Sequence, residues 1–185
     1  MARMMKQEKK MLAGAVLMAL SAVFFSVCTA QVITDTVYVD AGQGSDSNDG
    51  TSPATAWQTI DKLNQAVFGP GAVILLRRGQ SWTGTLRPAG SGDTADPIVL
   101  DAYGEGTRPV VHAGGAHPEA MYLYNQSHWE IRNVRFTNYD AVEPDTHRLR
   151  GIYIQGENAG AIEHVHLFNV EVDSVNSEYE TFDSR

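Results

Sequence analysis

Short runs of apolar residues, separated by turn-forming residues, fill most of the chain after residue 31. "TVYVDA" (Thr36–Ala41) alternates apolar and polar positions, which is the pattern of a half-buried strand. Similar runs follow, rich in β-branched and aromatic residues and bounded by Gly, Pro, Asp or Ser; examples are "AVILLRR" (Ala72–Arg78), "PIVLDAY" (Pro97–Tyr103) and "WEIRNVRF" (Trp129–Phe136). Many short strands at close spacing predict an all-β protein, either a sandwich, a barrel or a β-solenoid.

A weak internal repeat favours the solenoid. "MYLYNQSHWEIRNVRF" (Met121–Phe136) aligns with "IYIQGENAGAIEHVHLFNVEV" (Ile152–Val172), and equivalent positions are apolar in both copies, as stacked coils require. The alignment places Asn133 on Asn169. An asparagine at a sharp corner tolerates unusual backbone angles and can hydrogen-bond the next asparagine, so a ladder is predicted. The extra length between the copies is explained if Asp140–Arg150 is a loop extruded from the coil.

One segment near the start has helical rather than strand periodicity. In "AWQTIDKLNQAV" (Ala56–Val67), the spacing of Trp57, Ile60 and Leu63 predicts about three turns of helix with one apolar face. A polar, glycine-rich corner, "GSDSNDGTS" (Gly44–Ser52), precedes it. A solenoid whose first coil is open exposes its apolar interior and strand edges to water. We therefore expect this helix to cap the leading end of the stack.

The first thirty residues are typical of a targeting segment. A basic start is followed by twenty uncharged residues that end in small side chains, which predicts a secretory signal peptide cleaved between Ala30 and Gln31. An uncleaved membrane anchor is one alternative, since about 20 apolar residues can span a bilayer. Lipidation at Cys28 is another. The expected location is secreted, periplasmic or at the cell surface.

Charge and cysteine content narrow the possible partners. The whole chain carries a net charge of −8; the leader contributes four basic residues and one acid, so the remainder carries −11. That balance excludes a generally basic nucleic-acid binder. Cys28 is the single cysteine and leaves with the leader, so no disulfide and no thiolate chemistry are expected in the exported part. We expect a monomer with no membrane contact after cleavage, stabilised by packing and backbone hydrogen bonds.

Two stretches resemble secreted right-handed parallel β-helix proteins of the pectate-lyase-like type. These are "VYVDAGQGSDSNDGTSPATAWQTIDKLNQAVFGPGAVILLRRGQSW" (Val37–Trp82) and "GSGDTADPIVLDAYGEGTRPVVHAGG" (Gly90–Gly115). The resemblance implies three segments: a signal peptide (1–30), an N-terminal strand, corner and capping helix (31–71), and the first coils of a truncated parallel β-helix (72–185).

The same resemblance implies a carbohydrate-active protein that acts on an acidic polysaccharide as a lyase, with calcium possible in a longer protein. The alternatives are a non-catalytic glycan-binding or surface module, and an inactive fragment of a glycoside hydrolase or lyase. No cofactor is expected within this chain.

Few residues stand out as carriers of chemistry. Arg132 and His166 face outward on predicted strands and are candidates for binding a carboxylate or hydroxyl, as are Arg148 and Arg150 at the basic end of the predicted loop. A solvated surface explains all four equally well. The "HVH" pair, His164 and His166, can suit zinc, but it lacks a third ligand nearby in the sequence, so no metal site is expected. No cluster combines acids with a base, and no catalytic residue is assigned.

Overall fold

The computed structural model describes residues 31–141 and 148–176. The predicted signal peptide, its cleavage site at Ala30 and the lipidation candidate Cys28 lie outside the described residues, as does most of the predicted loop. Within the described ranges, no helix combines the length and apolarity needed to cross a membrane.

Strands dominate the described part of the chain, with one 3-10 turn (Pro53–Thr55) and one short α-helix, α1 (Ile60–Asn64). The strands are β1 (Val32–Ile33), β2 (Thr36–Val39), β3 (Val67–Phe68), β4 (Val73–Arg77), β5 (Ser81–Thr83), β6 (Ile98–Tyr103), β7 (Val110–His112), β8 (Glu119–Tyr124), β9 (Trp129–Arg132), β10 (Arg135–Asn138), β11 (Arg150–Gln155), β12 (Val165–Phe168) and β13 (Glu171–Val175).

Every pairing between these strands is parallel. The largest sheet has the order β12-β9-β6-β4-β2, a second has the order β13-β10-β7-β5, and two further sheets pair β11 with β8 and β1 with β3. The chain thus visits the sheets in turn and returns to lay each new strand beside an earlier one. The all-β prediction is confirmed, and the parallel sheets fit a β-helix.

The register agrees with the repeat read from the sequence. Ile131 lies opposite Leu167, and Phe136 lies opposite Val172. Because side chains alternate between the faces of a strand, a shift of one residue would turn every apolar side chain outward. The apolar positions shared by the two copies therefore determine how the strands stack.

A continuous core occupies the inner faces of the sheets. Trp129, Ile131 and Phe136 are completely buried, while the neighbours Glu130 and Arg132 point outward and are half-buried. Burial of each large apolar side chain contributes roughly 1.5–3 kcal/mol relative to an exposed one. The inward-facing members of β9 therefore hold the strand in place, and its outward-facing members are free to form a surface site.

The predicted helix over 56–67 is wrong in length. Only Ile60–Asn64 is helical, because Trp57 instead pairs with the edge of β2: its N–H donates to Tyr38 O (2.9 Å), and its carbonyl accepts from Asp40 N (2.8 Å). Val67 belongs to strand β3. The apolar residues of the segment are still buried, but two of the predicted turns are replaced by extended backbone that satisfies a strand edge.

Two features define the polar corner before the helix: hydrogen bonds to the carboxylate of Asp46, and a close approach of the backbone at Gly44 to that of Trp57. Asp46 Oδ1 accepts hydrogen bonds from the backbone N–H groups of Gln58 (2.9 Å) and Thr59 (3.0 Å), which ties the corner to the start of α1. Burial acts to raise the pKa of Asp46, but the hydrogen bond from the Thr59 hydroxyl (2.7 Å) and the two backbone bonds outweigh it, so the pKa lies below its ordinary value. At Gly44 a Cβ atom would lie 2.2 Å from the carbonyl oxygen of Trp57, so no larger residue fits there.

Candidate functional site

A cleft of about 450 Å³ opens on the outer face of the five-stranded sheet, where β6, β9 and β12 lie side by side. Alternation along β9 and β12 brings polar side chains to this face, since the apolar ones point into the core. The cleft is lined by Asp101, Glu130, Arg132, Asn133, His166 and Phe168.

Glu130 lies at the centre of the polar contacts. Its Oε2 accepts a hydrogen bond from Arg132 Nη2, and its Oε1 lies 3.3 Å from His164 Nε2. Burial acts to raise the pKa of Glu130, but the hydrogen bonds from His164 and Arg132 outweigh it, so the pKa lies below its ordinary value. Glu130 is therefore a carboxylate at neutral pH.

A ladder of side-chain amides forms one wall of the cleft. Asn169 Nδ2 donates to Asn133 Oδ1 at 2.6 Å, and Asn133 Nδ2 donates to Asp101 Oδ1 at 2.6 Å. Both asparagines have left-handed backbone angles, with φ of 57° and 53°. The predicted asparagine ladder is confirmed, and the structure adds Asp101 as its first member. Arg108 Nη2 also donates to Asn169 Oδ1 (2.5 Å), which holds the last rung.

Phe168 gives the cleft an apolar surface. It lies opposite Arg132 in the β9–β12 register and is 68% exposed. An exposed phenylalanine on the outward face of a strand, beside several polar groups, is stronger evidence of a binding surface than an exposed apolar residue at the edge of a core. The sequence analysis did not single out Phe168 or Asp101. The alternation of "VHLF" carried the signal for Phe168, because it places that ring on the same face as His166.

Two of the four predicted binding residues share this cleft: Arg132 and His166 both line it. The other two do not join them. Arg148 is exposed at the start of the second described range, and Arg150 begins β11, on a different sheet.

Arg150 belongs to a column of stacked side chains on the sheet of β8 and β11. Its guanidinium lies 4.4 Å from the ring centre of Tyr153, and that ring stacks on Tyr122 at 5.4 Å. Arg87 lies over Tyr122 in turn, at 5.0 Å. Arg150 and Arg87 also both approach the buried carboxylate of Glu119, at 3.7 and 2.6 Å. Because neighbouring groups cover these ring faces, packing between adjacent strands accounts for the column.

The cleft also brings a third group to the histidine pair. His166 lies opposite Glu130 in the β9–β12 register, and one ligand atom from each of Glu130, His164 and His166 lies within 4.8 Å of the other two. The imidazole rings of His164 and His166 stack with centres 4.1 Å apart. The sequence analysis expected no metal site because it sought the third ligand along the chain rather than across the strand pair.

The sequence matches no protein-family model. Over 88 residues it is 33% identical to a lacto-N-biosidase of Bifidobacterium longum; that stretch is 43% of this chain and 5% of the relative. Two crystal structures of the GH136 lacto-N-biosidase from Eubacterium ramulus are similar in fold. The selenomethionine derivative has a TM-score of 0.70 and 24% identity over 76% of this chain, and the native protein has 0.67 and 22% over 91%.

The chain spans only a little over a quarter of those two structures, 27% and 28%. At these identities the structural likeness shows the fold alone, which is of the β-helix type. Both comparisons are with lacto-N-biosidases, and neither supports the polysaccharide-lyase expectation.

Proposed function

We propose that this chain is a glycan-binding β-helix segment of an exported, glycoside hydrolase-like protein, and that the Phe168 cleft contacts the sugar. The similarity to lacto-N-biosidases supports the substrate class. The observation that carries the location is an aromatic ring, 68% exposed, on the same outward face as the polar groups of the cleft.

The cleft has the two kinds of surface that a sugar ring requires. Sugar hydroxyls exchange hydrogen bonds with planar donors and acceptors such as Arg132, Asn133 and Asp101, whose directions are fixed by their own bonds. The C–H face of the ring packs on an aromatic side chain, which Phe168 offers. Ligand sites combine an apolar surface with a few placed polar groups in this way.

The charges in the cleft favour a neutral glycan over the acidic polymer expected from the resemblance. Asp101 and Glu130 contribute two acids, and the positive charge of Arg132 is already paired with Glu130. The chain without its leader also carries a net charge of −11. A uronate polymer would meet repulsion at this surface, whereas a neutral oligosaccharide would not.

We propose binding rather than hydrolysis at this cleft. Glycoside hydrolysis requires two carboxyl groups on either side of the bond, one of them protonated at the start. The pKa of Glu130 is lowered, which is the wrong direction for a general acid. Asp101 Oδ1 already accepts hydrogen bonds from Asn133 Nδ2 (2.6 Å) and Ala102 N (2.7 Å). The function is therefore that of a binding module, or of one part of an enzyme whose catalytic carboxyls lie elsewhere.

The proposal also covers the handedness of the coils, the cap at their leading end and the export of the protein. We propose that the coils wind as a right-handed solenoid and that α1 covers its leading end, because Ile60 and Leu63 are buried against the core. Export through a cleaved signal peptide is proposed from the leader pattern alone.

Isothermal titration of the purified full chain with sugars tests this function. Lacto-N-biose, the sugar in the relatives' name, is compared with cellobiose and with pectin as the acidic polymer. We expect binding of lacto-N-biose, and we expect Phe168→Ala to weaken it about 10-fold, equivalent to about 1.4 kcal/mol. Tyr139→Ala is the matched control, because Tyr139 is 51% exposed but follows β10 on another sheet.

The result that contradicts the proposed site is equal loss of affinity in Phe168→Ala and Tyr139→Ala, or no loss in either. Binding of pectin alone would contradict the neutral-glycan assignment while leaving the cleft in place. If none of the three sugars binds, the glycan-binding function is wrong.

A further inference from the structure

We infer that Glu130, His164 and His166 form a binding site for a divalent transition-metal ion such as zinc. This site goes beyond the proposed glycan function and does not depend on it, because the three ligands are defined by strand geometry alone. The described residues contain one group of His, Cys, Asp and Glu side chains close enough to share an ion, and it is this one.

Parallel strand pairing brings the three side chains together. His166 belongs to β12 and His164 comes just before that strand; the contact between their two rings shows that both side chains lie on the same side of the segment. Glu130 on β9 is the register partner of His166 and projects from the same outer face. His164 sits just before β12 with a left-handed backbone (φ 53°), and its ring stacks on His166 with centres 4.1 Å apart.

The spacing of the ligand atoms suits a tetrahedral ion. Zinc–nitrogen bonds of about 2.0–2.1 Å and zinc–oxygen bonds of about 2.0–2.2 Å place neighbouring ligand atoms about 3.3–3.5 Å apart in a tetrahedron. Glu130 Oε1 and His164 Nε2 are already 3.3 Å apart. Ligand atoms of all three residues lie within 4.8 Å of one another. The two imidazoles must rotate out of their stack for both lone pairs to reach one ion, and their exposure leaves room for that rotation.

The surroundings of Glu130 leave one carboxylate oxygen for the ion. Arg132 donates to Oε2, so the carboxylate is held in place while Oε1 points toward the histidines. Outer hydrogen bonds of this kind orient metal ligands and contribute to affinity.

The ligand types favour one class of ion. Two imidazoles and one carboxylate suit zinc, nickel or copper, whereas calcium and magnesium prefer sites made of oxygen ligands. Three protein ligands leave a fourth position of a tetrahedral ion for water or another group. Since Glu130 and His166 line the cleft, that position faces the cleft opening.

A zinc competition titration on the full chain tests the site. The protein is freed of metal by dialysis against a chelator, then titrated with Zn²⁺ in the presence of a chromophoric competitor. We expect one zinc per chain, and we expect His164→Ala, His166→Ala and Glu130→Gln each to weaken binding at least about 10-fold. His117→Ala should bind as the wild type does, because His117 is exposed and lies outside the cluster.

Three further measurements separate this site from surface binding and from the glycan proposal. Zinc affinity should be lower in acid, because metal ligands must give up their protons to bind the ion. Phe168→Ala should keep full zinc affinity while losing sugar affinity. Co²⁺ in place of zinc should give the intense visible absorption of a four-coordinate site, and the three ligand variants should lose it.

The inference is overturned if the wild type binds less than one zinc per chain, or if the double variant His164→Ala/His166→Ala binds zinc within about threefold of the wild type. Both histidines are exposed, so these variants should fold; circular dichroism and thermal unfolding of each variant confirm that a loss of affinity is not a loss of structure.

Discussion

Removal of the middle rung of the asparagine ladder should destabilise the protein through two separable effects. Asn133 gives one hydrogen bond to the carboxylate of Asp101 and accepts one from Asn169, each 2.6 Å long. Because both bonds are partly exposed, we take values at the low end of the usual range: about 1.5 kcal/mol for the bond to the charged Asp101 and about 0.5 kcal/mol for the bond from Asn169. Asn133 also has a φ of 57°, a conformation that costs an alanine about 1 kcal/mol more than an asparagine or a glycine.

The two effects can be separated by two substitutions at one position. Asn133→Ala loses both hydrogen bonds and strains the backbone, so its free energy of unfolding should fall by about 3 kcal/mol. Asn133→Gly loses the same bonds but accepts the left-handed backbone, so the decrease should be about 2 kcal/mol. Urea unfolding of the full chain, followed by circular dichroism, gives both values, and an unchanged m-value shows that only stability has changed.

Asn158→Gly is the control for the glycine substitution. Asn158 has a φ of 53° and is exposed, and its side chain makes no hydrogen bond with the described part of the chain. Its replacement should change stability by less than about 0.5 kcal/mol. If Asn133→Gly is as stable as the wild type, the ladder contributes nothing to stability. If Asn133→Gly and Asn133→Ala are equally unstable, the argument from backbone conformation is wrong.

Three more results are expected. Gly90→Ala should abolish folding, because a Cβ atom at this position would lie 1.8 Å from a backbone carbonyl oxygen. Gly79→Ala, whose Cβ would have no atom within 4 Å, should lower the free energy of unfolding by only about 1 kcal/mol, as measured by thermal unfolding. Equal effects of the two substitutions would refute the steric reason. Ile131→Ala should lower the free energy of unfolding by about 2–5 kcal/mol, since Ile131 is fully buried, and a loss below about 1 kcal/mol would contradict that packing. Hydrogen bonds from Arg135 lower the pKa of Asp173, so the pair should stabilise the folded state above pH 3.8, and this contribution should be lost as the pH falls below that value. In Asp173→Asn, the free energy of unfolding should no longer show this decrease at low pH. If its dependence on pH is the same as in the wild type, the pair does not contribute to stability.

The helix shows where reasoning from periodicity fails. The apolar spacing of Trp57, Ile60 and Leu63 is correct as a description of burial, since all three are buried. It does not distinguish a helix from extended backbone that pairs with a strand edge. The unpaired edge of β2 is a tertiary feature, and it takes Trp57 into a bridge with Val39. Backbone hydrogen bonds to that edge override a local preference of about three helical turns.

The candidate site shows a different limit. Arg132 and His166 face outward as predicted, because alternation along a strand determines which way a side chain points, and both line the cleft. Their role in binding stays a prediction. Glu130 lies two positions before Arg132 on the same strand, but the sequence analysis did not connect it with the histidines, which follow it by more than thirty positions. Arg150 was assigned to the end of a loop, but it begins β11, where its neighbours Tyr153 and Glu119 depend on the β8–β11 pairing.

The sequence by itself determined the strands, their apolar faces, the register of the two copies and the asparagine ladder. Each of these depends on local periodicity or on the backbone preference of a single residue, and a repeat carries that information twice. Only the tertiary structure decided how far the helix extends, which polar side chains share a cleft, and where the histidine pair finds a carboxylate. Those contacts join residues from different coils, and the distances between them are determined by the stacking of whole strands rather than by any one stretch of the chain.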